Sequence, residues 1–271
     1  MIGIGINTTL RVISGGGGPS YDVDAQAFFD RVTTAGGTLT TTEQNATNQL
    51  VLDMKSAGIW SAMKAVYPMV GASAAACAQN FKSSSFTGTF SSGWTFASTG
   101  VTPNGTSAYM DSGLNLSSNL TSSSGNFSFY SRTNAILNGW LMGAETGSGD
   151  RTQWIIRTDG AGGYYGRYGS NAIATTNGTT SLGLSILNRA SSANLKLYQN
   201  GSLINTSTYS AGSLPNLNIY IGGNNNAGTF GAPNNAQCAF ASIGDGLTDT
   251  QASNFYTAVQ AFQTTLARQV V

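Results

Sequence analysis

Short segments in which apolar and polar residues alternate fill residues 80–247. Successive side chains of a strand point to opposite faces, so this period of two predicts strands that bury one face each. The clearest case is LKLYQNGSLI, where Asn200-Gly201 separates two alternating runs and predicts a type I′ hairpin. The pattern predicts a mainly β chain, an antiparallel two-sheet jelly-roll sandwich. The candidate strands are 86–90, 94–96, 108–114, 127–132, 140–145, 153–157, 164–168, 182–188, 195–198, 203–206, 218–221 and 237–243.

Two other stretches have helical periodicity. Residues 21–79 predict a small helical collar at one end of the sandwich, in which Thr40 and Glu43 form a capping box. A third short helix of this collar is predicted at 59–67, where apolar residues are closely spaced. Residues 248–271 predict a C-terminal helix that packs on the collar or on the sandwich.

Residues 1–20 predict an extended docking arm with a glycine-rich joint. Among the apolar residues that precede the run Gly15–Gly18, four predict an anchor that docks on a partner: Ile2, Ile4, Ile6 and Leu10. A frayed terminus is the alternative. The first residues lack the basic and apolar pattern of a secretory signal, and no apolar run is long enough to span a membrane, so we expect neither secretion by that route nor membrane insertion.

The composition excludes several classes of function. Charged residues make up 8% of the chain and its net charge is +1, which predicts no nucleic-acid partner. The chain has no histidine, so metal centres and triad catalysis are disfavoured and no cofactor or metal is expected. Two cysteines, Cys77 and Cys238, leave open a single disulfide or two buried thiols.

Aromatic residues and an arginine cluster in the middle of the sandwich sequence. Aromatic rings stack on sugars, so these residues predict a glycan site: Trp140, Tyr164, Tyr165, Tyr168 and Arg167. Some of the rings are equally explained as core anchors. Glu145 with Asp150 is the only pair that suggests hydrolase chemistry, and the glycines between them favour a turn instead.

The order of segments resembles bacteriophage virion proteins with a laminin-G-like or concanavalin A-like domain. The resemblance rests on KSAGIWSAMKAVYP, on GWTFASTGVTPNGTSAYMDSGL and, most strongly, on the terminal block QCAFASIGDGLTDTQASNFYTAVQAFQTTLARQV. Such proteins are tail, baseplate or head-fibre components. Some laminin-G-like domains bind calcium through loop carboxylates, but the aspartates here are scattered singly, which argues against calcium.

These observations predict a non-enzymatic structural component of a phage virion, exposed on the particle exterior. The arm would bind other virion proteins, the chain would form a homo-oligomer, with a trimer implied by the resemblance, and the sandwich would contact host-surface glycan or protein. The alternatives are a free carbohydrate-binding module or adhesin and, less favoured, a glycan depolymerase that uses Glu145.

Overall fold

The computed structural model describes residues 20–147, 149–158, 163–169, 174–210 and 212–271. The docking residues Ile2, Ile4, Ile6 and Leu10 lie outside the described residues, so the arm remains a prediction. The strands are β1 (Met63–Tyr67), β2 (Thr89–Phe90), β3 (Trp94–Ala97), β4 (Gly100–Pro103), β5 (Met110–Asn115), β6 (Gly125–Ser131), β7 (Met142–Glu145), β8 (Arg151–Thr158), β9 (Gly163–Tyr168), β10 (Ala174–Asn177), β11 (Gly183–Arg189), β12 (Asn194–Gln199), β13 (Ser202–Thr208), β14 (Asn218–Ile221), β15 (Asn224–Asn226), β16 (Thr229–Gly231) and β17 (Cys238–Gly244).

The strands form two facing sheets, which confirms the predicted two-sheet sandwich. An eight-stranded sheet has the order β13-β12-β11-β6-β17-β4-β3, with β1 also paired to β17. A nine-stranded sheet has the order β10-β9-β8-β7-β14-β5-β2, with β15 paired to β7 and to β16. The described pairs are antiparallel apart from β15 with β7. Asn200 and Gly201 both have positive φ, as the predicted type I′ hairpin between β12 and β13 requires.

Three long helices cover one sheet only. They are α1 (Val23–Thr34), α2 (Thr41–Ser56) and α5 (Asp249–Thr265), and two single-turn helices, α3 (Ala74–Cys77) and α4 (Leu116–Asn119), lie in connections. The predicted capping box of Thr40 and Glu43 is present at the start of α2, and Thr248 and Gln251 form a second one at the start of α5. None of the helices in the described ranges is long and apolar enough to cross a membrane.

The buried residues form two cores, one on each side of the eight-stranded sheet. One lies between the sheets and includes Phe127, Phe129 and Trp154. The other joins the helices to the outer face of the eight-stranded sheet and includes Phe28, Phe240 and Phe255. The predicted collar is therefore a third layer that covers a sheet face and does not cap one end of the sandwich.

The predicted third helix is wrong. Residues Trp60–Ala62 form a single 3₁₀ turn, and β1 then follows, pairing with β17 from Met63 opposite Gly244 to Tyr67 opposite Ala241. Four of the five β1 residues are buried, because β1 lies between the two cores. A strand buried on both faces has a continuous apolar run and shows no alternation, so its pattern is easily read as a short helix.

Candidate functional site

The outer face of the nine-stranded sheet carries polar and aromatic side chains, and no long helix of the described residues packs on it. Along β8 and β9 the inward residues, such as Trp154 and Tyr168, belong to the core between the sheets. The residues between them turn outward, and the register places Gln153 opposite Arg167 and Glu145 opposite Arg151. With Asn224 of β15, which reaches over from beside β7, they form what we call the polar face: Glu145, Arg151, Gln153, Arg167 and Asn224.

Glu145 is held by two partners on the polar face. Its Oε2 lies 3.0 Å from the Nε of Arg151, and its Oε1 accepts a 2.7 Å hydrogen bond from the side-chain amide of Asn224. Asn224 is 2% exposed, and its Oδ1 lies against Gly143, where an added Cβ would come within 2.5 Å of that oxygen. A side chain at position 143 would therefore force the amide of Asn224 to move.

Arg167 has a different environment. Its Nη1 donates a 3.3 Å hydrogen bond to Gln153 Oε1, and its guanidinium lies 5.8 Å from the centre of the Trp140 ring. The Nε atom is buried and has no hydrogen-bond partner among the residues that the structure describes. Burial, and then the positive charge of Arg151, lower the pKa of Arg167 from its usual value. The guanidinium is thus partly removed from water while only part of its donor set is used.

Of the predicted glycan-site residues, the structure brings Trp140, Tyr165 and Arg167 together on the outer face. Trp140 and Tyr165 are half-buried against the edge of the core. The Tyr165 ring lies flat on the sheet over Gly163, where a Cβ would be 2.5 Å from the ring. The Trp140 ring therefore lies beside the guanidinium of Arg167, and Tyr165 lies two residues away on the same face of β9.

Tyr164 and Tyr168 do not belong to this surface, which corrects the prediction for both. Tyr164 is 3% exposed and its hydroxyl donates to the carbonyl of Thr180. Tyr168 is fully buried and its hydroxyl lies 2.7 Å from the Thr121 carbonyl and 2.8 Å from the Ser124 carbonyl. Successive side chains of a strand point to opposite faces. Tyr164 and Tyr168 point inward because each is the direct neighbour of an outward residue, Tyr165 or Arg167.

Gln153 and Asn224 are polar-face residues that sequence reasoning missed. Gln153 precedes the core residue Trp154, and only the pairing of β8 with β9 shows that it lies opposite Arg167. Asn224 follows Gly222-Gly223, which the sequence presents as the end of a strand. The run Asn224–Asn226 could have pointed to the polar face, because three consecutive side-chain amides in a low-charge chain indicate specific hydrogen bonds to other residues.

An aromatic stack borders the polar face on the same sheet. The Tyr109 ring lies between the rings of Tyr220 and Phe230, at centroid distances of 4.4 and 4.7 Å and interplanar angles of 19° and 25°. This stack holds the β15–β16 hairpin, and hence Asn224, against the sheet. The position of the polar face is fixed by packing as well as by hydrogen bonds.

The described residues provide neither a metal site nor a reactive thiol. No group of three or more Asp, Glu, Cys or His side chains that could hold a metal is found among them. Cys77 and Cys238 are free and buried, and burial raises the pKa of both thiols. The polar face can therefore donate and accept hydrogen bonds and can offer positive charge.

Comparison with known proteins identifies the fold. The chain matches no protein-family model and no curated protein. Domain 4 of AbnA, a GH43 extracellular arabinanase from Geobacillus stearothermophilus solved in complex with arabinotriose, matches with a TM-score of 0.53 and 14% identity over 72% of this chain and 98% of that chain. The CBM40 of Ruminococcus gnavus IT-sialidase bound to α2,3-sialyllactose matches with a TM-score of 0.38 and 19% identity over 48% of this chain and 80% of that chain. The arabinanase domain confirms the β-sandwich fold.

Proposed function

We propose that this chain is a non-catalytic carbohydrate-binding module that binds glycan on the outer face of its nine-stranded sheet. The observation that carries the proposal is the pairing of two half-buried aromatic rings, Trp140 and Tyr165, with the hydrogen-bonding groups of the polar face. Sugars have apolar ring faces that stack on aromatic rings and hydroxyls that bond to amide and guanidinium groups. Binding of arabinotriose by the arabinanase domain supports the proposal by analogy of fold alone.

The environment of Glu145 favours binding of glycan without hydrolysis. Glycoside hydrolysis needs one carboxyl group that donates a proton and a second that acts as base or nucleophile. Both oxygens of Glu145 are engaged, by Arg151 and by Asn224, and this arrangement favours a fixed carboxylate that positions its neighbours. Turnover of any bound polysaccharide that disappeared in Glu145→Gln would contradict this assignment.

A glycan array followed by calorimetry tests the proposal. The array should include arabinan, pectin fragments and both sialylated and neutral oligosaccharides. The variant Tyr165→Ala should weaken binding about tenfold or more, because burying a side chain of this size contributes roughly 1.5–3 kcal/mol. Tyr21→Ala removes a half-buried tyrosine of the helical layer, on the other side of the molecule, and should leave affinity unchanged. If no glycan binds at millimolar concentration, the proposal is wrong.

The virion role stays a second proposal, supported by the sequence resemblance and by the low charge of the chain. A module of this kind, anchored by residues 1–20 on the exterior of a phage particle, would recognise glycan on the host surface. Mass spectrometry of purified particles tests this role, since a virion component must be present in stoichiometric amount. Its absence there would leave a free module or adhesin as the biological setting.

A further inference from the structure

The charge on the polar face is only partly compensated. Among the described residues, the ion pairs are Lys55 with Asp22 and Asp24, Lys64 with Asp245, Arg151 with Glu145, and Lys196 with Asp249. Arg167 takes part in none of these pairs. The acidic residue of the polar face, Glu145, is already engaged by Arg151 and Asn224.

The guanidinium of Arg167 is held in place by contacts that do not neutralise it. Gln153 is 2% exposed and accepts one hydrogen bond from Arg167, while the Trp140 ring lies close to the guanidinium. Within the described part of the chain the buried Nε atom has no hydrogen-bond partner, and the nearby charges oppose each other, since Arg151 repels the guanidinium and Glu145 attracts it. A partly buried, incompletely paired cation costs free energy that an arriving anion would recover.

An anionic group on a sugar fits these requirements. A guanidinium donates two parallel hydrogen bonds to a carboxylate or a sulfate, and these charge-assisted bonds are stronger than neutral ones. The Trp140 ring beside Arg167 would receive the ring of the same sugar residue, and Tyr165, on the same face of β9, would contact a neighbouring sugar. A neutral sugar would use the rings and leave the cation unpaired.

We propose that the polar face selects acidic glycans, with the anionic group of one sugar residue bound by Arg167. This inference rests on the proposed function, because it names the class of glycan for the same site. Carboxylate-bearing sugars and sulfated sugars share the required chemistry, and the two sources are separated by experiment.

Matched ligands provide the test on the unmodified protein. Affinities for trigalacturonate and its methyl ester are compared, and likewise those for lactose, sialyllactose and 3′-sulfolactose. In each pair that binds, the acidic form should bind at least about tenfold more tightly, because a hydrogen bond to a charged group contributes more free energy than a hydrogen bond between neutral groups, by an amount that corresponds to about tenfold in affinity. Preference for the carboxylates alone, for the sulfate alone or for both identifies the source of the anion. Equal binding of neutral and acidic forms overturns the inference but leaves carbohydrate binding intact, whereas binding of neither removes both proposals.

Variants then assign the preference to Arg167. Arg167→Gln should abolish the difference between acidic and neutral ligands, and Arg167→Lys should restore part of it. Lys64→Gln is the matched control, since it removes one positive charge from β1, on the eight-stranded sheet. A preference for acidic ligands that persists in folded Arg167→Gln would show that this residue does not bind the anion.

Discussion

Replacing Arg268 by methionine should destabilise the protein by about 3–5 kcal/mol. Arg268 is 1% exposed and has four hydrogen bonds, to Gln263 Oε1 and to the carbonyls of Pro68, Met69 and Ala239, at 2.5–2.8 Å. Each buried acceptor left without a donor costs about 1–3 kcal/mol. Methionine fills the space of the aliphatic part of the arginine side chain. The residues after Arg268 can shift enough to admit water to some of the carbonyls, so the total destabilisation lies below the sum of the separate costs.

Urea unfolding followed by tryptophan fluorescence measures this change. Arg31→Met serves as a control, because Arg31 is half-buried and its Nη2 donates two hydrogen bonds, to the carbonyls of Asn80 and Phe81; we expect its loss to cost about 1 kcal/mol. The expected order of decreasing stability is wild type, then Arg31→Met, then Arg268→Met. A loss below about 1 kcal/mol in Arg268→Met, with an unchanged slope against urea, would refute the view that this cation ties the C-terminal segment to the body of the protein.

Two further predictions concern titratable groups. Hydrogen bonds from Lys196 and Tyr198 lower the pKa of Asp249, and for Asp22 the hydrogen bonds from Lys55 and the Asp24 amide outweigh burial and lower its pKa too. A carboxyl whose pKa is lowered by folding stabilises the protein at pH values above its pKa in the unfolded chain, so stability should fall as the pH drops below about 4. A series of urea midpoints measured against pH should show a shallower fall in Asp22→Asn than in the wild type. Burial raises the pKa of Cys77 to about 12 and also raises that of Cys238, so neither thiol should react with Ellman's reagent at pH 8 in the native protein and both should react in urea; fast native reaction would place a thiol at the surface.

Features set by local backbone chemistry were predictable from the sequence. The Asn200-Gly201 turn needs positive φ at both positions, and the capping box of Thr40 and Glu43 needs only residues three apart. The strand β1 was not predictable in the same way. Its apolar run is compatible with helix or strand, and the choice is made by pairing with β17, which lies about 180 residues further along the chain.

The candidate site was predictable only in part, for a related reason. Alternation along β9 separates Tyr164 and Tyr168 from Tyr165 and Arg167, but it does not say which pair faces the core. That choice depends on where the other sheet lies. Asn224 could not be placed on the polar face without knowing that the chain pairs with β7 twice, first antiparallel in β14 and then parallel in β15.

The pairing of β1 with β17 has a consequence for how the chain folds during synthesis. The helices α1 and α2 share their core with Phe240 of β17 and Phe255 of α5, which the ribosome makes much later. Until those residues emerge, the apolar faces of α1, α2 and β1 lack part of the core that covers them. Contacts between such distant parts of a chain form slowly, because a long loop must close first. The nascent chain should therefore depend on chaperones until β17 and α5 are released.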